Sequence, residues 1–185
     1  MKDWKSYCET AYNSLKANLH NWGKPEFARP ITRIYYIGVF DTGTPNPTGL
    51  ISENALKNKS VKKKVVHDHC LSPQFISRMI LDNPDVYLSS LDKFQEIFLL
   101  SCQTIVVTAE ENLELSYLTS NDGDTYEVKV PTHLKYNHLG IKLYKKPENV
   151  VRWNKSVPID SNILDVPNEL KEYEKQFLVG INVSI

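Results

Sequence analysis

The sequence predicts an α+β fold: a core of two strands and a helix, a helical insertion between the strands, an N-terminal helix and a C-terminal extension. Three observations predict it. Val61 to Val66 is a short β-branched strand that follows a lysine run and leads into His67-Asp68-His69. Gln103-Thr104-Ile105-Val106-Val107 is a second such strand; it runs into Thr108-Ala109-Glu110-Glu111, a capping box that opens a helix with Asn112 in its first turn. Between them lie two helical patterns, each with its own start signal, at Ser72-Pro73 and at Ser89-Ser90-Leu91-Asp92.

Taken in order, Trp4, Tyr7, Cys8, Ala11, Tyr12, Leu15 and Leu19 recur at helical spacing, so the chain opens with an amphipathic helix that Trp22-Gly23-Lys24-Pro25 stops. Thr32 to Phe40 is β-branched and aromatic and predicts a buried strand; Asp41 to Gly49 reads as a loop. After the lysine-led strand, Phe75, Ile76, Met79 and Ile80 mark one face of a helix ending at Asn83-Pro84. Leu91, Phe94, Ile97, Phe98 and Cys102 mark the core face of the next helix. Asn121 to Asp124 is a turn signal, and Tyr126, Val128 and Val130 alternate with charged residues as a half-exposed strand does. A short helix within Thr132 to Gly140, the apolar Ile141 to Tyr144 and a helix from Asn168 to about Phe177 complete the reading.

With 185 residues, 41% of them apolar and 24% charged, the chain suits one soluble globular domain over 1–185. Within it, 30–120 is the expected core and 121–185 a C-terminal extension. The formal net charge is zero, so any contact with an anionic polymer needs a local patch. Cys8, Cys70 and Cys102 are too few and too scattered for a disulfide framework or paired zinc motifs, which fits a reducing cytoplasm. No apolar run approaches the length of a membrane span, so no membrane association is expected.

The text Asp68-His69-Cys70-Leu71-Ser72-Pro73 resembles the Asp-His-x-x-Pro signature of HNH nucleases, the ββα-metal family. Val106 to Asn112 is similar to that family's second strand and helix. The spacing departs from the pattern: three residues, rather than two, separate His69 from Pro73, and no helical histidine follows Asn112. The resemblance implies a DNA endonuclease of the homing or restriction kind, with one Mg²⁺ or Mn²⁺ ion as cofactor. It implies Asp68 and Asn112 as metal ligands and His69 as general base on the attacking water. His67 is the alternative base, because it shares a face of an ideal strand with His69.

Lys62, Lys63 and Lys64 would supply phosphate contacts beside that site, with Arg78 a further candidate on the following helix. Lys145 and Lys146, with Lys142, Arg152, Tyr144 and Trp153, form a second basic and aromatic segment suited to nucleic acid. The non-catalytic alternative is a nucleic-acid-binding or assembly domain. In it the histidines are strand-end residues, Asp68 serves a turn or cap, and Glu111 belongs to the Thr108 capping box.

Overall fold

The structure is a computed structural model and describes residues 3–43, 46–121, 126–147, 152–159, 164 and 166–179. In chain order the elements begin with α1 (Trp4–Asn18), α2 (Pro25–Asp41), β1 (Asn46–Ser52), α3 (Glu53–Ser60) and β2 (Val66–His69). Next come α4 (Pro73–Asp82), α5 (Pro84–Tyr87), α6 (Leu91–Ser101), β3 (Gln103–Val107) and α7 (Ala109–Ser116). The last are β4 (Thr119–Asn121), β5 (Tyr126–Val128), α8 (Lys135–His138), β6 (Leu143–Lys145), β7 (Val157–Pro158) and α9 (Asn168–Glu174). The fold is α+β with a small mixed sheet. No helix among the described residues is long and apolar enough to cross a membrane.

The chain divides into two compact units, the first made of Met1–Pro47 and His69–Gln103, the second of Thr48–Asp68 and Thr104–Ile185. In the first, α1 and α2 pack together, and α4 and α6 join them. α1 buries Cys8, Ala11 and Leu15, the stripe its sequence spacing marks. Ser72 caps α4 with Pro73 at its first position, and Ser90 caps α6, each through a side-chain oxygen that accepts a backbone N–H. The core centres on Tyr35, Phe94 and Phe98; the tyrosine ring meets both phenylalanines nearly edge-on at 5.8 Å.

Thr32 to Phe40 is helix, not the buried strand its composition predicts. Burial shows why: Ile31, Tyr35, Gly38 and Val39 are buried, whereas Ile37 and Phe40 are 46% and 47% exposed, a helical period rather than a strand's. Gly38 has a packing reason to be glycine, since a Cβ there would stand 3.3 Å from the Ala11 Cβ. The small pair lets α1 and α2 approach closely.

The second unit carries the sheet, in the order β2-β3-β1-β6-β7. β1 runs antiparallel to β6, with Ile51 opposite Tyr144 and Leu50 opposite Lys145, and β6 runs antiparallel to β7. Ile51, Ala55 and Val106 form a buried cluster against which Leu56, Val65, Tyr144 and Trp153 pack. Two expectations change here. Asn46 to Gly49 opens β1 rather than a loop, and the lysine run lies on α3 and the turn after it, so β2 begins only at Val66. β4 and β5 form an antiparallel pair; the turn predicted at Asn121 to Asp124 falls, past Asn121, outside the described residues.

Candidate functional site

The residues of β2 reach their neighbours through different chemistry. His67 places Nδ1 3.3 Å from the Thr104 hydroxyl on β3. Partial desolvation, with the Lys59 ammonium nearby, holds this imidazole below its usual pKa. His69 belongs to the first unit, where its Nδ1 lies 2.8 Å from the Ser101 carbonyl. A carbonyl only accepts, so Nδ1 carries the proton. The ring packs against Phe40 at 4.6 Å.

Asp68 is held from α8. Lys135 Nζ donates to its carboxylate at 2.8 Å, and the Tyr136 hydroxyl donates to the same oxygen. Both charged side chains are largely shielded, 15% exposed for Asp68 and 13% for Lys135, and Tyr136 is 1% exposed. The negative charge is therefore already neutralised by a lysine. Asn112 sits half-buried in the first turn of α7, and its backbone N–H donates to the Thr108 carbonyl. It is not a hydrogen-bond partner of Asp68 among the described residues. Among the described residues, no three His, Cys, Asp or Glu side chains stand together. As arranged, the oxygens do not suit a hard dication, because the acid proposed to hold it faces an ammonium.

Glu111, the residue beside Asn112, is the more heavily used. Its carboxylate accepts from Ser52 Oγ, from Asn54 Nδ2 at 3.1 Å and from the Thr108 N–H at 2.8 Å. The capping box expected at Thr108 is present, and it is tied to the start of α3. Half of that arrangement has a local signature; Ser52 and Asn54 are too far away in sequence to have given one. Lys135 and Tyr136 likewise had no signal, lying in a four-residue helix with no periodic pattern.

The two basic segments meet on the second unit. Lys59, from α3, and Lys146, just after β6, each place the ammonium 5.2 Å from the centroid of the Trp153 ring. Trp153 opens a 3-10 turn, Trp153–Lys155, that packs against α3. Residues 53–64, 142–147 and 152–155 carry Lys57, Lys59, Lys62, Lys63, Lys64, Lys142, Lys145, Lys146, Arg152 and Lys155 against a single acid, Glu53. Glu53 pairs with Lys57 at 3.5 Å. Arg78 lies on α4, in the first unit.

The end of α3 explains how three lysines come to stand in a row at the surface. Lys63 N–H donates to the Asn58 carbonyl and Lys62 N–H to the Lys59 carbonyl, the paired bonds of a Schellman C-cap. Lys62 takes the left-handed position, with φ of 60°, where glycine is the usual residue. It is the one non-glycine residue with positive φ among the described residues. Lysine there costs about 1 kcal/mol. Comparison with family models, curated proteins and solved structures finds no match to this chain.

Proposed function

We propose that the second unit binds nucleic acid through its phosphates, using the lysine surface around Trp153. The observation that supports this most is the convergence of Lys59 and Lys146 on one indole ring, which joins two basic segments remote in sequence into one surface. In a chain of zero net charge, the meeting of these lysine-rich segments at Trp153 concentrates positive charge locally, with Glu110 the acid that Lys63 feels, and a local excess of cations attracts a polyanion. The unrelieved backbone strain at Lys62 fits the same reading, since glycine would cap α3 more cheaply but carry no charge.

Binding of a fluorescein-labelled DNA by the full chain should weaken steeply with salt, because each lysine–phosphate contact releases a condensed counterion. The double variant K59Q/K146Q should bind about tenfold more weakly at equal stability. Salt-independent binding, or an unaffected double variant, refutes the reading. So does a preference for phosphatidylserine vesicles over DNA. A separate variant, Lys62→Gly, should raise the unfolding free energy by about 1 kcal/mol while lowering DNA affinity, as read by denaturant titration and fluorescence anisotropy on the same sample.

One observation supports the second reading, metal-dependent DNA cleavage of the HNH type. β2 and β3 are neighbours in the sheet, and β3 runs directly into α7, which carries Asn112 in its first turn. Against it stands the Lys135 ammonium on Asp68. Plasmid incubated with the chain and Mg²⁺ or Mn²⁺ separates the two readings, because metal-dependent nicking abolished by His69→Ala belongs only to the nuclease.

A further inference from the structure

The surface offers charge without an open aromatic face, and this bears on which nucleic acid it takes. Both aromatic side chains of the basic segments, Trp153 and Tyr144, are half-buried and packed against Ile51, Ala55 and Val106. The face of the indole is occupied further by Lys59 and Lys146. The exposed apolar side chains closest in sequence to these lysines and to Trp153 are Val61 and Val157, 63% and 52% exposed, and valine has no π face. Single strands are held largely by stacking on aromatic rings, at about 1–3 kcal/mol per base. The described residues of the basic segments themselves offer no fully exposed ring for that.

Part of this charge is carried by regular structure and its caps. Lys59 is on α3, Lys62 is locked in the C-cap, Lys145 is on β6, and Arg152 and Lys155 flank and end the 3-10 turn. A preset array of charges suits a partner whose phosphates are themselves preset, as the two backbones of a duplex are. Nine of the ten cations are lysines. An ammonium is a point charge, whereas the paired recognition of base edges in the major groove is mostly the work of arginine and of amide side chains. Resting on the binding reading above, we infer that this surface takes duplex nucleic acid by its phosphate rows, without reading sequence, and discriminates against single strands.

The test is a competition on the unaltered full chain between a short labelled DNA duplex and each of its separated strands, repeated with an unrelated sequence of equal length. The duplex should bind about tenfold more tightly than either strand, and the two duplexes should bind alike. A second measurement uses the double variant Trp4→Phe/Trp22→Phe, leaving Trp153 as the sole tryptophan. Oligothymidylate should leave its emission unchanged, since the indole is not a stacking partner. Strands that bind as tightly as the duplex, or that quench Trp153, overturn this inference and leave the phosphate-binding reading standing. Binding to neither duplex nor strand overturns both.

Discussion

Replacing Asp68 with alanine is expected to destabilise the second unit by about 3 kcal/mol, measured by chemical denaturation at pH 7 without divalent metal. The substitution removes the carboxylate oxygen to which a shielded lysine and a buried tyrosine hydroxyl both donate. Breaking such a pair costs more than the pair itself contributes, because the surviving charge remains in a poorly solvated place. The estimate sits at the low end of the range since Lys135 also lies in the field of Glu174, which offers the ammonium some compensation. Asp68→Asn should cost less, because its amide oxygen still accepts from Tyr136. Lys135→Met in the Asp68→Ala background should recover a good part of the loss, so the two changes are strongly non-additive. The same series distinguishes a structural acid from a metal ligand. An ion held by Asp68 in the folded state would raise wild-type stability by about 2.7 kcal/mol at a hundredfold excess over its dissociation constant, and would do nothing for Asp68→Ala. If Asp68→Ala costs under about 1 kcal/mol, or if Mg²⁺ stabilises the wild type alone, the paired-acid account fails.

A feature of this fold is legible in the sequence where the contact that decides it is local. The caps at Ser72, Ser90 and Thr108 are written within four residues and all form. The strand expected at Thr32 to Phe40 shows the opposite. Its β-branched and aromatic composition points to a sheet, and Pro30, inside the helix, argues against α structure by propensity. Packing of Tyr35 and Val39 with Gly38 beside Ala11 overrides both. The apolar Ile37 and Phe40 on the outer side hid the helical period, since a stripe is legible only when the opposite face is polar. The lysine run was legible as charge but not as shape, because a Schellman turn is expected to announce itself with glycine and here uses Lys62. The candidate site suffered most. Asp68 and its neighbours were legible as chemistry, but their partners Lys135 and Tyr136 were not, and a carboxylate's role is set by what it faces.

Glu111 gives the sharpest case of one side chain holding two distant elements, and its removal is expected to cost as much as that of Asp68. The residue is 7% exposed, and its carboxylate receives donors from both helix starts that it serves. Ser52 Oγ donates to it while accepting from the Ala55 N–H, so the cap of α3 is oriented by the cap of α7. Glu111→Ala leaves the Ser52 hydroxyl and the Thr108 N–H buried and unpaired, at about 1–3 kcal/mol each, while the exposed Asn54 amide turns to water. A total near 3–4 kcal/mol follows from those two terms. Thr108→Ala, which removes an ordinary N-cap, should cost only about 1 kcal/mol. Glu111→Gln should fall between, since its amide points a donor at one of the donors the carboxylate accepted. The readout that isolates the link is amide hydrogen exchange at Ala55. Protection there should fall in Glu111→Ala, although Ala55 lies on the other helix, and should persist in Thr108→Ala. Equal costs for the two alanine variants, with Ala55 protection unchanged, would reduce Glu111 to a local cap. Because α3 also carries Lys59, loss of its cap should weaken DNA binding at temperatures where the rest of the chain remains folded, so the same variant couples the buried carboxylate to the charged surface above it.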